Sequence, residues 1–440
     1  MPESLRAEFY RAASRDLACR YQFSGAGGRA MLAGNQSVAR MSPVDFLEQE
    51  VTANDGQAND LFGFRVLISG DTAFVSAPAP IYRPGSVYVF NKIDGNWTQM
   101  QKLVANPDFT PPPNWSDFFG WSLALSGETL IVGAPFTFDA QGPIGAAFVF
   151  TLANGVWEQS QQLKAADAVA IDYFGQAVGL AGTTAVVGAY NKNGGEGAAY
   201  VFTNSAGEWS ETQELFASDG MPGDSHQFGN AVAFDGAAIF IGAPGPDYVS
   251  TNIYPVGAAY VFRNNTGTWT ETQRLTASDT APGDQFGFAI DLSGRRALIG
   301  APAANIGANI HQGAAYAFGR SEAMWTQTEK LTASDGVAYD QFGQSVALQG
   351  RTAVIGEWSH DDDFNHAPPP PKQGTSYAFR LAMGAWTQAQ EFTATDGQPG
   401  DSFGWDVAVD GETFLIGAQG TVGGNLFQGS AYFFERGSSN

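Results

Sequence analysis

Two imidazoles and three carboxylates fall within seven residues at His360-Asp361-Asp362-Asp363-Phe364-Asn365-His366. Nitrogen and oxygen donors at that density suit a divalent cation, which makes His360, Asp361, Asp363 and His366 the candidate metal ligands. The same run, continuing into Ala367 and four prolines, also reads as a solvated surface loop. Calcium or another divalent ion is the cofactor these residues would imply; no other cofactor motif is present. The two remaining histidines, His226 and His311, stand far off in the chain. No nucleophile–base spacing occurs, and there is no Gly-x-Ser-x-Gly, Walker loop or His-Glu-x-x-His. The lone cysteine, Cys19, permits no intramolecular disulfide.

Aromatic residues form the second set of candidates. Tyr82, Trp115, Tyr190, Tyr248, Tyr254, Trp358 and Phe364, with Phe136, Phe138 and Phe427, sit in stretches rich in Gly, Pro, Asn and Asp. Such rings stack on sugars or anchor a protein partner. The alternative is that they fold back onto the scaffold. A third pattern is a recurrent pair of aspartates: Asp55/Asp60, Asp167/Asp172, Asp279/Asp284, Asp335/Asp340 and Asp396/Asp401, with Asp219/Asp224 displaced by an insertion around His226 and Asp117 standing without the upstream member. These read as Asx turns that satisfy backbone N–H groups, or as weak cation ligands.

The elements that must position these residues are repeats. Phe-Gly recurs at Phe62, Phe119, Phe174, Phe228, Phe286, Phe342 and Phe403, at intervals of 57, 55, 54, 58, 56 and 61 residues. The fifth copy shows the unit. Phe286 to Leu292 alternates and predicts a first strand, followed by a turn at Ser293–Arg296. Ala297 to Pro302 is an apolar run suited to a strand buried on both faces. Ala314–Phe318 gives a third strand, and Trp325–Ala333 a Thr-rich fourth with one wet face. Four antiparallel strands per unit, stacked radially, make an all-β, seven-bladed β-propeller. After the seventh Phe-Gly the chain supplies only three strands. Phe46 to Ala53 matches the end of a fourth strand, so the N-terminal strand is expected to complete the last blade and close the ring. Residues 1–45 stand outside as an N-terminal extension, 46–436 form the propeller and 437–440 a tail.

Phe-Gly together with Gly133-Ala-Pro135, Gly242-Ala-Pro244 and Gly300-Ala-Pro302 resembles the FG-GAP repeat. The resemblance is to the heads of integrin α subunits and to bacterial surface proteins. It implies the seven-bladed fold and an extracellular or cell-surface setting. In integrins several first hairpins carry a calcium loop. Here the matching turns, such as Ser69-Gly-Asp-Thr72 and Ser293-Gly-Arg-Arg296, are too short for six to eight oxygen ligands, so that role is not carried over.

Topology places the short 1–2 and 3–4 turns on one face. The long 2–3 loops and the blade connections lie on the other, which is the candidate binding face. The chain carries 44 acidic against 22 basic residues, a formal net charge of -22. That excess repels nucleic acid and anionic membrane, and no apolar run is long enough to insert in a bilayer. Met1 to Tyr21 is charged and lacks the apolar core of a signal peptide. The expected function is a binding or adhesion module for a glycan or protein. The alternatives are a polysaccharide lyase or hydrolase using the same face, and a scaffold module of a larger surface protein.

Overall fold

Each repeat becomes one four-stranded antiparallel sheet in the computed structural model, which describes residues 46–79, 83–108, 116–140, 142–221, 223, 225–245, 256–358, 372–420 and 422–437. In blade five the strands are Ile290–Ser293, Arg296–Ala301, Ala314–Ser321 and Met324–Leu331. The first strand starts four residues later than the alternation from Phe286 predicts. Gln285 and Gly287 both take positive φ, so the chain is still turning there. Blade three alone carries Phe-Gly inside its strand, Phe174–Ala181.

Turn chemistry follows the strands. In six blades the first hairpin is a two-residue turn led by a glycine at φ +56° to +63°, from Gly70 to Gly411. Blade four uses a longer turn, in which the Asp235 carboxylate accepts the N–H groups of Ala237 and Ala238. Outer hairpins such as Asn154-Gly155 and Thr266-Gly267 place both central residues at positive φ. This is the type I′ geometry whose twist matches that of the strands.

The first strands of neighbouring blades touch all the way round, and Val407–Asp410 of blade seven meets Val66–Ser69 of blade one. The seventh blade draws on both ends of the chain. Phe46–Val51 pairs antiparallel with Ser430–Arg436, with Phe46 opposite Arg436 and Val51 opposite Ala431. Side chains reinforce the seam. Gln49 exchanges two hydrogen bonds with the main chain of Trp97 in blade one, both 2.8 Å. Glu48 accepts the N–H and hydroxyl of Thr395 at 3.1 and 3.0 Å. Between blades four and five, Gln273 and Trp325 repeat the first of these clasps.

The joints between blades explain the recurring residues. Every Phe of the seven Phe-Gly pairs is fully buried. Phe286, for example, meets Tyr316 and Phe318 of its own third strand at 5.5 and 6.0 Å. The N–H of Gly287 donates to the Gly300 carbonyl of the same blade at 3.0 Å. Its own carbonyl lies against blade four, where a Cβ on Gly242 would stand 2.0 Å from it. Glycine is therefore required on the GAP strand because two backbones meet there.

Candidate functional site

The connection into each blade lies along the 2–3 loop of the blade before it. Phe62 N–H donates to the Gln428 carbonyl, Phe342 to Gln312 and Phe403 to Gln373, at 2.8, 2.9 and 2.7 Å. The long-loop face is thus a set of paired segments tied to the ring.

Of the predicted ligand and metal residues, Tyr190 and Trp358 are among the described residues. Tyr82, Trp115, Tyr248, Tyr254 and Phe364, and the metal candidates His360, Asp361, Asp363 and His366, lie outside the described residues. Tyr190 is half-buried and stacks on Tyr173 at 5.3 Å. Trp358 is only 4% exposed; its Nε1 donates to Gln341 and its ring meets Trp405 edge-on at 4.7 Å. Both belong to one aromatic arc. From Trp358 it runs through Trp405, Phe64, Trp121, Phe118, Phe136 and Tyr173 to Tyr190, crossing blades six, seven, one, two and three. Phe136 and Phe138 are buried as well. In the described part of the face, these rings pack on one another and serve the scaffold.

The paired aspartates have distinct tasks. The one nearer Phe-Gly closes the connection: Asp60, Asp172, Asp284, Asp340 and Asp401 each accept the N–H of the residue three before. The earlier one holds a tyrosine of the third strand. Tyr88 donates its hydroxyl to Asp55, Tyr200 to Asp167, Tyr260 to Asp219 and Tyr432 to Asp396, at 2.8, 2.9, 2.6 and 3.1 Å. A cation usually completes the group. Lys102 lies 2.6 Å from Asp55, Arg274 3.0 Å from Asp219 and Lys330 2.7 Å from Asp279. Burial raises the Asp55 and Asp279 carboxyls, but bonds from the lysine and tyrosine outweigh it and hold both below their ordinary value.

In blades three and six a lysine arrives from the 2–3 loop instead. Lys192 is 2.7 Å from Asp167, and Lys372 is 2.6 Å from Asp340 and 3.9 Å from Glu357. Glu357 stands where other blades carry the alanine of Gly-Ala. Burial, with Asp340 beside it, pushes its carboxyl up to about 9 despite Lys372. Blade seven differs again. Glu50, Asp396 and Tyr432 border an open cavity of about 190 Å³. Glu50 accepts the Ser430 hydroxyl at 2.6 Å.

At the ring centre, charged groups meet but are committed to the scaffold. Asp406 accepts Val66 N–H at 2.8 Å and faces Arg65 at 3.4 Å, while Arg65 Nε donates to the Trp121 carbonyl. Asp291 accepts Leu348 N–H across the boundary between blades five and six at 2.6 Å. Protein surrounds Asp291 although part of it keeps contact with solvent, and burial pushes its carboxyl up to about 7. Among the described residues no cluster of His, Cys, Asp and Glu has the arrangement of a metal site.

Comparison with known proteins places these features in a family. A model described as FG-GAP repeat matches residues 46–90, 97–150, 157–202, 209–262, 269–318, 325–379 and 386–434. Those segments cover well over half of the chain; each begins on the fourth strand of one blade and ends on the third strand of the next, the first beginning with the N-terminal strand that completes blade seven. No curated protein matches the chain.

Proposed function

We propose that this chain, which belongs to the FG-GAP repeat family, is a non-enzymatic binding module that works outside the cell or on its surface. Its ligand is a protein held on the long-loop face. By fold it is a binding or scaffold module, and fold alone does not choose a ligand. The observation that carries the reading is the asymmetry of the two faces. One face is closed by two-residue turns in six of the seven first hairpins. The other displays loops of differing length and sequence, pinned to a rigid ring. Variable loops on a fixed scaffold are where recognition resides. The commitment of Asp291, Asp406 and Arg65 to backbone and to each other supports binding over catalysis.

A glycan ligand is the second reading, supported by the half-exposed ring of Tyr190. It would draw on Tyr82, Trp115, Tyr248, Tyr254 and Phe364 as well, with a divalent cation at His360, Asp361, Asp363 and His366. The test is to immobilise the protein and probe it with a random peptide-display library and a glycan array, each with and without EDTA. Peptides selected reproducibly and lost when the 2–3 loops are exchanged between blades support the protein reading. Glycan hits that EDTA abolishes transfer the assignment to the second, and silence on both arrays overturns the module reading.

A further inference from the structure

Blades five and seven are near twins on the long-loop face. Their 2–3 loops carry matching bridges, Ile306 with Asn309 and Val422 with Asn425. Asn309 donates to Gln312 at 2.8 Å and Asn425 to Gln428 at 2.7 Å. Gly313 N–H donates to the Ala304 carbonyl as Gly429 does to Gly420, which fixes the alignment residue by residue. Tyr316 and Asp279 of blade five correspond to Tyr432 and Asp396 of blade seven.

One position breaks the likeness. The residue opposite the tyrosine on the fourth strand is Lys330 in blade five and Glu50 in blade seven. In blade five the Lys330 ammonium bonds Asp279 at 2.7 Å and lies 5.4 Å from the Tyr316 ring centre. Lys102 and Arg274 hold the same place in blades one and four, each within 6 Å of its tyrosine ring. Where that position is glutamate, as at Glu214 and Glu391, a loop lysine enters: Lys192 or Lys372. Blade seven has neither. Among the described residues, neither Glu50 nor Asp396 has a basic partner; Glu50 accepts from Ser430 and Asp396 from Tyr432. The 2–3 loop of blade seven, residues 419–429, contains no Lys or Arg. It also has Gly420 for Ala304 and Val422 for Ile306, and both changes remove volume. The result is the cavity of about 190 Å³ bordered by Glu50, Asp396, Ser430, Tyr432 and Val422.

We propose that this blade-seven cavity receives a lysine or arginine side chain of the protein partner. The same positions bind an ammonium or a guanidinium in blades one, four and five of this molecule, which identifies the chemical class. Three carboxylates, Glu50, Asp396 and Asp401, line it with Tyr432, and among the described residues neither Glu50 nor Asp396 has the cation that Asp55, Asp167, Asp219 and Asp279 have in blades one, three, four and five. A cationic head with an aliphatic stem fits a cavity of this size better than a bare ion does. The inference rests on the protein reading of the long-loop face and adds its first contact.

The test uses the full chain and three small probes: N-acetyl-lysine methylamide, N-acetyl-arginine methylamide and N-acetyl-norleucine methylamide. Binding is read by saturation-transfer NMR, with calcium chloride as a separate arm. The basic probes are expected to bind in the millimolar range and norleucine not at all. Glu50→Gln and Asp396→Asn should each weaken the basic probes at least tenfold. Glu50→Lys should abolish their binding and raise the melting temperature, because the new ammonium reaches Asp396 as Lys330 reaches Asp279. Equal binding of norleucine, undiminished binding to Glu50→Lys, or no binding of either basic probe overturns the proposal. Displacement of the probes by stoichiometric calcium would also overturn it, in favour of a metal site. If peptides from the library bind Glu50→Lys as well as the natural chain, the cavity assignment fails while the module reading stands. If the basic probes bind as expected while the peptide library and the glycan array are both silent, the cavity is a cation site but its assignment to a protein partner falls with the module reading.

Discussion

Gly242 and Gly155 are both glycines of one repeat family, yet they face opposite constraints. A Cβ on Gly242 would stand 2.0 Å from the Gly287 oxygen, whereas one on Gly155 would meet nothing within 4 Å. Gly242→Ala must push two backbones apart and should cost about 2–4 kcal/mol in chemical denaturation. Gly155→Ala retains only the strain of a positive φ, about 1–2 kcal/mol. Equal losses would show that the interblade contact is looser than described. Glu357 offers a test by pH. Its carboxyl is raised to about 9 in the folded protein from an ordinary value of 4.5. The raised value means its contribution to stability is fully present below about pH 4.5. It is lost as pH climbs through about 9, where the buried group must ionise. Thermal melts from pH 5 to 9 should fall for the natural protein and fall less for Glu357→Gln, which stays neutral throughout.

The N-terminal strand is the element on which closure depends. Its six residues pair with the last strand, and Glu48 and Gln49 reach the blades on either side. Removing residues 46–51 unpairs one whole edge of Ser430–Arg436 and deletes both clasps. The truncated protein should melt far below the full chain, and an unchanged melt would contradict the closure. Gln49→Ala is the milder version. It removes two hydrogen bonds to Trp97, worth roughly 1 kcal/mol each at a half-buried site, so a loss near 1–2 kcal/mol in urea titration is expected. Stacking of Trp97 on Phe433, with centroids 4.2 Å apart, would persist in that variant and keep the seam closed.

The full chain carries a formal net charge of -22, with 44 acidic residues against 22 basic ones. Self-repulsion of that kind is screened by salt, since the Debye length falls from about 30 Å at 0.01 M to about 8 Å at 0.15 M. The melting temperature should therefore rise over that range; a fall would mean that the cation–carboxylate groups of the connections outweigh the net charge. Seven Phe-Gly pairs at near-constant spacing, and a spare fourth strand before the first of them, determined the blade count and the closure. Those features are local in sequence: strand periodicity and the need for glycine where backbones touch operate within one repeat. The Asx turns were legible for the same reason, because donor and acceptor lie three residues apart. The aromatic arc was not, since Trp358, Trp405 and Phe64 come from three blades and their contacts arise only when the ring closes. Nor was the blade-seven cavity. Glu50 and Asp396 are separated by most of the chain. The signal in the sequence was Glu50 at a fourth-strand position that is Lys102, Arg274 or Lys330 in three other blades, combined with a 2–3 loop, residues 419–429, that has no Lys or Arg. That signal gains meaning only when the N-terminal strand is laid into the seventh blade. Sequence decided the repeating unit, and tertiary structure decided which copy of it has no basic partner for its Glu–Asp pair among the described residues.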